Sequence, residues 1–174
     1  MGYSKAVNKP VGVTSTGSFV YPSTMSLDAN WSSATFDSSN PNLVPVGLSE
    51  YKGYVVTLVL NTATNTNVLY WFNQQLDNAY KNTVKLASGK YNVPNNNWNW
   101  IAANDTGIYL LDVQGNVGFS NNPSNINSWK VVSTNITQGN ILNADMYTTT
   151  TSLCVLADTT EGHKLLTTPI TAFK

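Results

Sequence analysis

Aromatic rings interleaved with carboxamides are the side chains of this sequence best suited to holding a ligand. In Asn95-Asn96-Asn97-Trp98-Asn99-Trp100 two indoles stand among four asparagines, and Tyr70, Trp71, Tyr91 and Tyr109 lie close by in the chain. Sugar rings present apolar C–H faces that stack on Trp or Tyr, while Asn side chains both donate to and accept from hydroxyls. This combination points to carbohydrate recognition, with Trp71, Tyr91, Asn96, Trp98, Tyr109 and Trp129 as the candidate ligand-binding residues. Side chains alternate between faces along a strand, which puts Trp98 and Trp100 on the same face. If that face is the core, both do no more than pack.

Acid–base chemistry has thinner support. Glycoside hydrolysis needs two carboxylates about 5–10 Å apart, and the candidates are Asp28, Asp77, Asp105, Asp112, Asp145 and Asp158. Asp28 and Asp77 occupy equivalent places in a sequence repeat described below, and Asp112 roughly matches Asp158. A carboxylate that recurs in this way is expected to fix a turn by accepting from backbone N–H groups. No catalytic residue is therefore assigned, and a glycosidase built on an Asp pair stands as the alternative reading. The single histidine, His163, lies in Glu161-Gly162-His163-Lys164 beside an expected hairpin turn, exposed rather than placed deep among the partners that a nucleophilic triad requires. Cys154, the single cysteine, sits inside Leu153-Cys154-Val155-Leu156-Ala157 and reads as a small buried hydrophobe. One His and one Cys do not make a zinc site, so no metal and no cofactor are expected.

Charged residues make up 10% of the 174 residues, against about 25% in an ordinary soluble domain. Asn, Thr and Ser replace them, while 41% hydrophobic and 11% aromatic content is enough for a packed interior. Nine basic residues balance nine acidic ones, and without a Lys/Arg cluster there is no electrostatic footprint for nucleic acid. No run approaches 18 apolar residues, so no membrane span is expected. Met1-Gly2-Tyr3-Ser4-Lys5-Ala6-Val7 lacks the apolar core of a signal peptide. So weakly charged a surface suits contact with other subunits.

The elements that must position these residues are short strands, and they recur. Ser18-Phe19-Val20-Tyr21 aligns with Asn67-Val68-Leu69-Tyr70 and with Asn116-Val117-Gly118-Phe119, a step of about 49 residues that is the signature of propeller blades and related arrays. Trp31, Tyr80 and Trp129 hold one equivalent position per repeat and are expected to pack on outer strands. Strands are expected at Tyr54–Leu60, Val68–Phe72, Tyr80–Leu86, Trp98–Ala102, Ile108–Leu111, Asn116–Ser120, Ser128–Val132, Ile141–Asp145, Ser152–Ala157 and Lys164–Thr167, with little or no helix. The chain reads as one all-β domain with an N-terminal arm at 1–17. About three repeats follow, at 18–42 (partial), 43–88, 89–135 and 136–174 (partial). The final repeat lacks its outermost strand, and the N-terminal strand at Trp31 is expected to complete it.

Trp100-Ile101, Ile108-Tyr109-Leu110-Leu111-Asp112, Gly115-Asn116-Val117 and Trp129 resemble the blade pattern of tectonin-type lectin propellers. Phe119-Ser120-Asn121-Asn122-Pro123 followed by Trp129 is similar to the Asp-box neighbourhood of sialidase-like propellers, although the Asp and Gly of that box are missing here. The composition resembles that of bacteriophage fibre and virion-surface proteins. These resemblances imply four-stranded antiparallel blades, core packing for Trp100 and lectin-like binding. Three blades do not close a ring, since propellers have about four to eight. Two chains sharing a six-bladed ring, a smaller barrel or sandwich, and packing inside a larger assembly are the three resolutions. The expectation is a non-catalytic structural or binding protein, a virion- or surface-associated adhesin or assembly component that binds glycans. Its expected partners are itself or other virion or surface proteins, and not nucleic acid or membrane.

Overall fold

Runs of β-branched and aromatic residues alternate with uncharged polar tracts, and the backbone follows that alternation. The computed structural model describes residues 2–4, 9–14, 16–22, 28–73, 83–134 and 140–173. These residues form four separate antiparallel sheets in which strands pair in chain order. The first sheet contains β1 (Gly2–Ser4), β2 (Lys9–Val13), β3 (Ser18–Pro22) and β4 (Trp31–Thr35). The second contains β5 (Leu43–Tyr51), β6 (Tyr54–Asn61), β7 (Thr66–Phe72) and β8 (Gly89–Asn92). The third contains β9 (Trp98–Asn104), β10 (Gly107–Asp112), β11 (Asn116–Ser120) and β12 (Lys130–Ser133). The fourth has three strands, β13 (Ile141–Thr148), β14 (Ser152–Thr159) and β15 (Gly162–Pro169). Helical backbone among the described residues is limited to short 3-10 turns at Thr83–Leu86, Ile126–Ser128 and Ile170–Phe173.

Short polar side chains hold the turns. Asp37, Asn61, Asn104 and Asp112 each accept from the backbone N–H two residues on, at 2.8–3.0 Å, and Thr149 and Thr159 do the same at 3.2 Å. This local chemistry explains why Asn and Thr replace charged residues in the composition. Between β5 and β6 the two-residue loop Lys52-Gly53 has φ of 49° and 81°. Positive φ at both positions is what a tight hairpin turn matched to the twist of its strands requires.

Several expectations need correction. Four sheets stand where about three repeats were expected. The Trp31 strand does not complete the final repeat, because β4 pairs with β3 from Pro22↔Trp31 to Ser18↔Thr35. A hairpin closed by a short connection costs less chain entropy than a crossing to the far sheet. The segment read as an arm, 1–17, contains β1 and β2. The strand expected up to Leu86 is also displaced: Thr83–Leu86 is a 3-10 turn, and the outer strand is β8, beginning at Gly89. Tyr80 lies outside the described residues. Gly89 pairs with Trp71, and a Cβ there would come within 2.6 Å of the Trp71 Nε1, so only glycine lets the indole lie on the backbone.

Three apolar cores separate the four sheets. Phe19, Tyr21 and Phe36 pack against Val55, Val59 and Phe72 between the first and second sheets. Val56, Leu58 and Leu69 meet Trp98, Ile108 and Leu110 between the second and third. Tyr109, Leu111 and Phe119 meet Leu153, Val155 and Phe173 between the third and fourth. Alternate residues of β6 and β10 thus enter opposite cores, as strict strand alternation demands.

Trp98 and Trp100 do not share a face. The pairing runs Leu111↔Trp100 and then Asp112↔Trp98, which leaves Asn99 as the extra residue of a β-bulge. Trp98 therefore turns into the core shared with the second sheet, with 1% of its surface exposed. Its Nε1–H donates to the Pro94 carbonyl at 2.9 Å. Trp100 packs half-buried against the core shared with the fourth sheet, while Trp98, whose side the sequence leaves open, is the one fully buried. Trp98→Ala is expected to lower stability by about 3–5 kcal/mol and Trp100→Ala by under about 2 kcal/mol. Urea denaturation of the two variants checks the order; equal losses would contradict the bulge.

Candidate functional site

Three partly open aromatic residues of the second sheet gather at one end of its face toward the third sheet, while Tyr70 packs on the opposite face. Tyr54 opens β6, and the parity that carries Val56 and Leu58 into the shared core puts Tyr54 on the same face. Trp71 pairs with Val56, and Tyr91 pairs with Leu69. The ring centroids of Tyr54 and Trp71 are 5.2 Å apart and tilted by 56°, while Trp71 and Tyr91 stack at 6.0 Å and 13°. Tyr54 is 36% exposed, and Trp71 and Tyr91 are half-buried.

Tyr51 anchors this group. It is buried at the end of β5, pairs with Tyr54 across the Lys52-Gly53 turn, and donates its hydroxyl to the Asn121 carbonyl of the third sheet at 2.9 Å. The Lys52 ammonium lies 5.0 Å from the centre of the Tyr51 ring, a cation–π contact. Burial, and then the phenols of Tyr51 and Tyr54, push the Tyr91 phenol above its ordinary value, so it is a neutral hydrogen-bond donor at pH 7. The result is a row of three rings with phenolic hydroxyls beside them, held on rigid strands: an apolar platform with polar handles.

The structure brings together Trp71 and Tyr91 of the sequence candidates and adds Tyr54. The others lie elsewhere. Trp98 is sealed in the core. Tyr109 is fully buried between Phe119 and Phe173, at 4.9 and 5.6 Å, and burial pushes its phenol up. Trp129 is 9% exposed in the core that Trp71 and Tyr91 pack against, and its Nε1–H has no protein partner. Asn96 donates to Asp112 Oδ2 at 2.7 Å. Sequence reading missed Tyr54 because its run reads simply as strand former. The signal was its even spacing with Val56 and Leu58, which gains meaning only once β7 and β8 are in register.

Asp112 is a structural hub. Its Oδ1 accepts from the Gln114 and Asn116 backbone N–H groups at 2.9 and 2.8 Å, and its Oδ2 accepts from the Asn96 and Asn116 carboxamides at 2.7 Å each. Buried at 1% exposure, it fixes the β10–β11 turn as expected and has no oxygen left for a substrate. Asp77 lies outside the described residues. Asp28, Asp105 and Asp145 are exposed. The His163 Nδ1 and Asp158 Oδ1 are 2.6 Å apart with side chains 84% and 51% exposed, and so exposed a pair adds little stability. Cys154 is a buried free thiol, as expected. Among the described residues, no group of three or more His, Cys, Asp or Glu side chains is placed to hold a metal ion.

A separate cavity of about 220 Å³ is lined by Val13 of β2, Gly47 of β5, Trp100 of β9 and Asp145 of β13, among others. One strand from every sheet therefore reaches it.

Comparison with known proteins gives no matching protein-family model and no similar curated sequence.

Asp112→Ala leaves four donors without their acceptor. Unsatisfied buried donors cost about 1–3 kcal/mol each, partly recovered by water, so a loss of about 3–5 kcal/mol is expected in urea denaturation. A loss below about 1 kcal/mol would show that the turn holds without the carboxylate.

Proposed function

We propose that this protein is a non-catalytic binding and assembly module, an open propeller-like array of four sheets that takes a saccharide on the Tyr54–Trp71–Tyr91 platform. The half-buried, nearly parallel Trp71–Tyr91 pair with the more exposed Tyr54 beside it carries this reading. Flat rings fixed on strands match the C–H faces of a pyranose, and fixed phenols match its hydroxyls. The propeller-like arrangement is supported by the chain-order pairing of strands in every sheet and by one strand from each sheet reaching a common cavity.

The glycosidase alternative loses support because both Asp112 oxygens are occupied by protein donors. A charge-poor surface fits a virion or cell-surface setting in which neighbours are other proteins, and repeated presentation on such a surface multiplies a weak affinity.

A glycan array followed by fluorescence titration of the best-bound oligosaccharide tests this reading. Removing one stacked ring costs roughly 0.5–1.5 kcal/mol, so Trp71→Ala is expected to weaken binding about two- to tenfold. Tyr54→Ala, at a more exposed position, should weaken binding severalfold while leaving the urea midpoint near wild type. Absence of glycan binding, or unchanged affinity in both variants, overturns the proposal.

A further inference from the structure

Among the described residues, only one side of the fourth sheet packs against another sheet. Leu153, Val155 and Ala157 of β14 are fully buried against the third sheet, while Cys154, Leu156 and Asp158 alternate with them onto the other face. The register continues that outer face across the sheet: Leu156 lies between Asp145 and Leu165, and Tyr147 lies opposite Cys154. Tyr147, Leu156 and Leu165 are 58%, 51% and 72% exposed, and Leu142 nearby is 66% exposed. Consecutive apolar residues are the mark of a strand buried on both faces. The equivalent strands β6 and β10 carry that pattern and are buried on both faces. β14 carries it too, as Leu-Cys-Val-Leu-Ala, with Leu156 left in solvent.

We infer that this outer face is a homodimer interface, on which the fourth sheet of a second copy packs face to face about a two-fold axis. The rest of the described surface selects a second copy. The other large exposed apolar side chains lie apart, with Trp31 on β4, Tyr54 on the aromatic platform, and Ile126, Val131 and Val132 at the outer margin of the third sheet. The surface that best matches this apolar face is therefore the same face of another molecule. Its charges are few: Asp158 is held by His163 at 2.6 Å, and Asp145 stands on the edge strand β13 beside Leu156, where it also lines the cavity.

Size agrees as well. Strands of eight residues at about 3.4 Å per residue and about 4.8 Å apart give a face of roughly 27 by 14 Å. With side-chain relief, two such faces bury on the order of 1,000 Å² together, the lower bound for a specific interface. A dimer of this size dissociates on dilution. Two-fold pairing is also closed, so it covers both apolar faces without propagating into a fibre. This inference does not depend on the saccharide reading.

Light scattering of the full chain across a dilution series tests it. The wild type is expected at the mass of two 18.9 kDa chains, falling toward one on dilution. Leu156 stands in the middle strand, so a two-fold axis through the face brings it close to its own copy. Leu156→Lys and Leu156→Glu should each be monomeric with urea midpoints near wild type, because half of the side chain is already in solvent, and an equimolar mixture of the two should restore the dimer. A wild type that is monomeric at the highest concentration reached overturns the inference. So does an oligomer that persists in both variants, or a mixture that stays monomeric.

Discussion

A strand that is apolar on both faces is stable only between two other layers, and this constraint organises the whole molecule. β6 sends Val55 and Val59 into one core and Val56 and Leu58 into the next. β10 divides Ile108 and Leu110 from Tyr109 and Leu111 in the same way. Neither strand has a solvent face to give up, so the sheets must stack, and each core serves two sheets at once. The middle sheets are the best buried for that reason, and a defect in one of them reaches two interfaces.

Stacking of this kind leaves little work for charged residues. Hairpin after hairpin is closed by an Asn, Asp or Thr side chain accepting from the backbone two residues on, and a neutral side chain does this without the desolvation cost of an ion. Asp112 is the buried exception, and it has four donors to itself. The composition is thus a consequence of the architecture: many turns, short strands and few surfaces that need charge.

The aromatic platform forms where a core meets solvent. Tyr54, Trp71 and Tyr91 continue the apolar face of the second sheet beyond the buried Tyr51 that anchors them. Gly89 lets the Trp71 indole settle on the backbone. The rings are half-buried because they belong to the core on one side and to the surface on the other, and that dual membership makes them both rigid and accessible.

Most of the strand runs and the turn role of Asp112 were legible in the sequence because they are local: a run of β-formers, a carboxylate and a polar tract act within a few residues. Trp71 and Tyr91 were legible as residue types suited to a ligand. Their partner Tyr54 was not, because only the register of three strands brings it beside them. The opposite facing of Trp98 and Trp100 was equally hidden, since a bulge at Asn99 is set by pairing with Leu111 and Asp112, far along the chain. Alternation fixes which residues share a face within one strand. Which strands lie side by side, and which faces meet another layer, is decided by long-range pairing that a linear pattern does not encode.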